Sequence, residues 1–201
     1  MRTNNKTDER RRLIGEAMAA IRVVMDQGPS VANLDTAKAE LIGLASHKDM
    51  FTFEDFPLPT DDAMECSYLI HEDDDGEYAL YVNAGVPHQY YAPHDHGTAW
   101  AVIAGVEGRE RHQLYLRRKN GAEGESLIVK MGEVMVAAGE AATMQPDGIH
   151  EVNAMDGKPL LHLHLYARNF VAQGERRKYE VEQNTAEPFY LDELGSITDA
   201  R

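Results

Sequence analysis

The chain has 201 residues, enough for one domain with a sizeable core. Lys and Arg total 20 against 34 Asp and Glu, a formal charge of −14, which argues against nucleic acid and anionic membranes as partners because both would be repelled. No apolar run approaches a bilayer span, the first residues lack a secretory h-region, and the lone Cys66 cannot form an intramolecular disulfide, so the expectation is a cytoplasmic globular protein.

In chain order, the spacing of Leu13, Met18, Ile21, Val24 and Met25 predicts a helix from Asp8 to Asp26, ended by "QGPS". A second helix is predicted from a cap at Asn33 or Asp35 to about His47, with Ala37, Leu41 and Leu44 on one stripe. Pro57 and Pro59 close this helical region, 1–60. From 61 to 181 the pattern changes to short strands. "CSYLIHEDDDGEYALYVNAG" predicts a hairpin around an Asp-Gly turn. Further strands are expected at Ala99–Ala104, Gln113–Arg117, Ser126–Lys130, Val134–Ala137 and Leu160–Tyr166, separated by glycines. Many short strands with glycine turns suggest a sandwich or small barrel. The tail, 182–201, is expected to be loop and short turns on the surface.

Five of the nine histidines fall in three places. His94 and His96 are two apart, so on a strand they share a face and suit one metal ion, although a lone His-x-His is as readily an ordinary surface pair. About fifty residues on, "MQPDGIHEVNA" places His150 after a Pro-x-Gly turn on another expected strand. "LLHLHLYARNF" puts Leu161, Leu163 and Leu165 on one strand face and His162, His164 and Tyr166 on the other. The residues alone leave that strand equally open to a plain role in the core.

Together the His-x-His, the glycine turn region and the Pro-x-Gly-x-His resemble the two signature motifs of the cupin superfamily, which implies a mainly β, jelly-roll barrel with the N-terminal helices packed outside. The usual glutamate three or four positions after His-x-His is missing; Trp100 and Ala101 stand there. The same departure marks the thiol dioxygenases of the cysteine dioxygenase family. "HDHG" followed by "WAVIAGVEGRER" is most similar to the bacterial branch acting on 3-mercaptopropionate. The resemblance covers roughly Glu65 to Tyr179 and implies Fe(II) held by His94, His96 and His150.

The family's Ser-x-His-x-Tyr triad matches at His164 and Tyr166, with His162 in place of the serine. This implies that Tyr166 offers its hydroxyl to substrate or oxygen and that His164 holds that hydroxyl. An alternative makes His162 and His164 a second metal pair, which leaves Tyr166 without a role and lacks further ligands. Ala101 and the distant Cys66 imply no tyrosine–cysteine crosslink. The substrate carboxylate needs a cation. Tyr68 stands near the place of the mammalian-type arginine, whereas "YARNFVAQGERRKYE" resembles the region that serves the bacterial branch. Arg177 is the leading candidate there, then Arg176, then Arg168. The implied activity is oxidation of a small mercapto-acid by O2 to a sulfinate. The alternatives are a non-enzymatic metal-binding cupin sensor and a cupin oxygenase with a non-thiol substrate. A monomer is expected.

Overall fold

A computed structural model describes residues 2–60, 62–118 and 128–201. Two helices come first, α1 (Arg2–Met25) and α2 (Val31–Ala45). The cap of α2 is Ser30, whose hydroxyl accepts from the Asn33 amide, so the helix starts before the expected Asn33 or Asp35. Asn33 instead donates its side-chain amide back to the Gly28 carbonyl. A serine placed immediately before the first helical residue satisfies an otherwise orphaned amide.

Twelve strands follow among the described residues. They are β1 (Glu65–Glu72), β2 (Glu77–Gly85), β3 (Tyr90–Asp95), β4 (Ala101–Glu107), β5 (Arg109–Arg117), β6 (Ile128–Ala137), β7 (Ala141–Met144), β8 (Ile149–Ala154), β9 (Leu160–Arg168), β10 (Arg177–Glu180), β11 (Thr185–Pro188) and β12 (Ser196–Asp199). The β1–β2 hairpin turns at Asp75-Gly76, where Gly76 has φ +75°. The two strands expected at Ser126–Lys130 and Val134–Ala137 are one: β6 runs through Gly132, and its pairing with β5 shifts register there, leaving Met131 as an extra residue. Gly132 is therefore a bulge position and not a turn. Ser126 lies outside the described residues.

The strands form two six-stranded sheets, ordered β12-β1-β2-β9-β4-β7 and β11-β10-β3-β8-β5-β6. The eight central strands therefore alternate between β2-β9-β4-β7 and β3-β8-β5-β6, which is the strand order of a jelly roll. The outer face of the first sheet carries Leu80, Val82, Val102, Ala104, Leu161, Leu163 and Leu165. These pack with Ile14, Met18, Ile21, Leu34, Leu41 and Leu44 of the helices in one buried cluster. The expected leucine face of β9 thus meets the helices, and its histidine face turns into the barrel. Trp100 belongs to the helix-side cluster too and packs on Tyr78 at 5.7 Å.

The tail differs from the surface loop expected. β11 joins the second sheet by pairing with β10, while β12 pairs in parallel with β1. Phe189 and Leu194 are buried in the inner cluster. An otherwise polar tail carries single apolar residues between its short strands, and these pack into the inner cluster. No helix among the described residues is long and apolar enough to cross a membrane.

Candidate metal centre

His94 is the penultimate residue of β3, directly across from His150 on β8, and His96 lies in the turn just after β3. All three are buried, and their ligand atoms lie within 4.8 Å of one another. His94 Nδ1 is tied to the Ala92 carbonyl at 2.8 Å, which leaves Nε2 to face its neighbours. His150 Nε2 and His96 Nε2 stand 3.2 Å apart. Two nitrogens held at right angles on one metal, each ~2.1 Å from it, would be about 3.0 Å apart. Burial, with the charge of Arg176 second, lowers the His94 pKa to about 3 and that of His96 well below normal. Burial and then His94 do the same to His150. Three neutral imidazoles with converging lone pairs repel one another unless a cation sits between them, so this set fits a metal ion.

Asp95 points the other way and holds the turn. Its carboxylate accepts from the Tyr179 hydroxyl at 2.5 Å, from Arg117 at 3.0 Å, and from the backbone amides of Gly97 and Arg177. Gly97 has φ +61°, and a side chain there would collide with the Gln173 carbonyl. This anchor fixes the His-x-His turn and the start of β10 together.

The histidines open into a small cavity, of about 20 Å³, between the sheets. Tyr166 and His164 from β9 line it, with His164 Nδ1 3.1 Å from the tyrosine hydroxyl. Burial pushes the Tyr166 pKa up, against the pull of Arg176, and lowers His164 to about 3. Tyr91, Phe170 and Leu194 supply apolar wall.

The three candidate arginines part company here. Arg176 lines the cavity, 4% exposed, with its guanidinium over Phe189 and Phe170 at 5.1 and 5.7 Å. Its Nε reaches the Asp95 carbonyl at 3.4 Å, and its Nη1 is buried without a partner among the described residues. Arg177, the leading expectation, points outward, its side chain 48% exposed beside Glu175. Arg168 is exposed and lines a different surface depression near Arg22 and Trp100. Successive residues at the start of β10 face opposite ways, which the sequence motif alone does not resolve.

His162 is buried but outside the cavity lining. It stacks on His164 at 6.2 Å, nearly parallel, and its Nδ1 donates to Glu110 Oε1 at 2.9 Å. The same oxygen accepts from His112 Nε2 at 2.7 Å. Burial alone would raise the Glu110 pKa, but His162 and His112 outweigh it and hold the carboxyl well below its usual range. Glu110, His162 and His164 also bring ligand-type atoms within 4.8 Å. In that cluster Glu110 already accepts from two histidines and His164 faces Tyr166, so a hydrogen-bonded network accounts for it without a second ion.

Sequence reasoning missed Glu65, Glu110 and His112. Glu65, at the start of β1, lines the cavity and accepts from Asn83 and Gln89 at 2.9 and 3.0 Å; burial raises its pKa to about 7. The available signal was the Glu-x-His pair of "RERHQ", which precedes the strand expected at Gln113–Arg117 and falls on one face of β5, whose start at Arg109 is earlier than expected.

No family model matches the chain, and no curated protein matches it. Solved structures resemble part of it. The protein TT1209 from Thermus thermophilus shares 17% identity over 55% of this chain and 89% of that one, at a TM-score of 0.42. An uncharacterized conserved protein with a double-stranded β-helix domain from Klebsiella pneumoniae subsp. pneumoniae MGH 78578 shares 16% over 59% and 83%, at 0.41. Hydroquinone 1,2-dioxygenase PnpCD shares 13% over 55% and 68%, also at 0.41. The fold is a cupin-type jelly roll. That statement stands on the chain's own strand order, because likenesses this partial carry no argument about activity.

Proposed function

We propose that the protein is a non-haem iron thiol dioxygenase that converts a small mercapto-acid to its sulfinate. One observation carries this reading: a three-histidine set without a carboxylate shares one cavity with a buried arginine whose Nη1 has no partner among the described residues. Ferrous iron held by His94, His96 and His150 would supply a Lewis acid for the thiolate and a site for dioxygen. The reaction RS⁻ + O2 → RSO2⁻ balances without an external reductant.

The chain's own residues do the rest. The neutral imidazoles add no negative charge, so an anionic thiolate is not repelled. Arg176 receives the carboxylate through its free Nη1, and its place over two aromatic rings fixes the distance between the two ends of the substrate. Tyr166 keeps its proton, and with His164 donating from Nδ1 the tyrosine O–H is free to donate into the cavity. Tyr91, Phe170 and Leu194 exclude water.

The test is dioxygen uptake by anaerobically Fe(II)-loaded protein across a panel of small thiols, with metal content measured on the same sample. Uptake of one O2 per sulfinate formed supports the reading. Stoichiometric iron with no uptake on any thiol overturns it and leaves the barrel and its histidines in place.

A further inference from the structure

Behind the cavity, away from any substrate, stand Glu110 and His112 on β5, 1% and 0% exposed. A buried carboxylate is costly unless it is fully engaged. Here it begins a chain: Glu110 Oε1 to His112 Nε2 at 2.7 Å, then His112 Nδ1 to His150 Nδ1 at 2.8 Å, and His150 Nε2 faces the centre. His112 and His150 come from neighbouring strands, one pleat apart diagonally, and their rings stack at 4.9 Å.

Only one proton arrangement lets all these contacts coexist with a metal on His150 Nε2. That nitrogen must be bare, so the His150 proton is on Nδ1 and is donated to His112. His112 Nδ1 is then the acceptor, and its own proton is on Nε2, donated to Glu110. Were His112 protonated on both nitrogens, two Nδ1 protons would meet at 2.8 Å, or His150 would carry its proton on Nε2 and lose its ligand lone pair.

We propose that Glu110, acting through His112, fixes the Nδ1–H tautomer of His150 and strengthens that imidazole as a metal ligand. The pattern extends the carboxylate–histidine–metal arrangement by one imidazole. It places negative charge two hydrogen bonds from the metal and leaves the coordination positions free. The carboxylate absent at Trp100 and Ala101 is thus present in the fold, displaced from the ligand set. His162, donating to the same oxygen, holds Glu110 in place. The inference rests on the three histidines holding a metal and not on the thiol chemistry, so a protein that binds metal and oxidises no thiol leaves it intact.

Two measurements test it on the full chain. Co(II) titration of the metal-free protein compares wild type with Glu110→Gln and with His112→Asn; the asparagine oxygen still accepts from His150 but cuts the link to Glu110. Both variants are expected to bind Co(II) about ten- to a hundredfold more weakly with a shifted Co(II) absorption spectrum. Wild-type affinity and spectrum in folded variants would overturn the proposal. Should a variant fail to fold, long-range ¹H–¹⁵N spectra of the Zn(II)-loaded wild type decide. A proton on Nδ1 of His150 and on Nε2 of His112 supports the relay, while a proton on Nδ1 of His112 refutes it. A purely structural role for Glu110 would lower the melting temperature of its variant without moving the tautomers or the Co(II) spectrum.

Discussion

Arg176→Gln isolates the group proposed to hold the substrate carboxylate. In the wild type the guanidinium is buried, its Nη1 has no partner among the described residues, and its Nε donates to the Asp95 carbonyl. The substitution therefore breaks no internal salt bridge, and its effect falls on the bound acid. Removing one member of a buried, hydrogen-bonded charge pair costs about 2–5 kcal/mol. At about 1.4 kcal/mol per factor of ten, kcat/KM for 3-mercaptopropionate should fall roughly 30-fold to several thousand-fold. Glutamine keeps much of the stem over Phe170 and Phe189, which limits the loss of packing. Arg177→Gln, at an exposed pair with Glu175, should stay within about twofold. The assay is initial O2 uptake with 3-mercaptopropionate and, in parallel, with 2-mercaptoethanol, which has no carboxylate. The Arg176 variant should lose rate on the first and little on the second. Equal loss on both thiols, or a larger effect at Arg177, would refute the assignment.

Tyr166→Phe removes the hydroxyl that faces both the cavity and His164; turnover should fall by about 10²-fold or more while iron content stays at the wild-type level. Glu65→Gln tests a carboxyl whose folded-state pKa, about 7, lies above its ordinary 4.5. The folded chain then binds more protons than the unfolded one between those values, so this group's contribution to stability falls as pH rises through that window. Urea unfolding should show the variant gaining about 3 kcal/mol on the wild type as pH rises from below 4.5 to above 7, and a pH-independent difference would contradict it. Leu163→Ala, fully buried between the first sheet and the helices, should cost about 2–5 kcal/mol in the same assay with metal binding retained.

Much of this molecule was legible in the chain because its signals are local. The alternation of "LLHLHLY" marks the two faces of β9, and helical spacing marks the Met18–Ile21–Met25 stripe. What lay outside sequence reasoning depends on partners distant in the chain. Arg176 and Arg177 are adjacent and chemically equal; the pleat at β10, fixed by Asp95 against the Arg177 amide, decides which of them turns inward. The Glu-x-His spacing of Glu110 and His112 is local, but the full engagement of the buried carboxylate also needs His162 from β9, distant in the chain. His162 follows the same rule: its ring engages Glu110 across strands, and the hydroxyl of Tyr166 faces His164.

The distribution of charge around the cavity supports the proposal that its substrate is an anion with two ends and not a neutral thiol. The open side carries the Arg176 cation and the three neutral imidazoles, whose protonation Arg176 further discourages at His94 and His96. A divalent ion there would add positive charge within the same enclosure. Negative groups stand back. Glu110 is behind His112, and Asp95 is on the far side of the turn, already engaged by Tyr179, Arg117 and two amides. Glu65, which lines the cavity, has its pKa raised to about 7 and so carries little charge below neutral pH. On the proposed function, such a lining would stabilise a thiolate at one end and a carboxylate at the other without a competing internal anion, and the desolvated walls would strengthen both contacts. A carboxylate in the ligand set itself would cancel part of that attraction, whereas one acting through His112 does not stand in the thiolate's path.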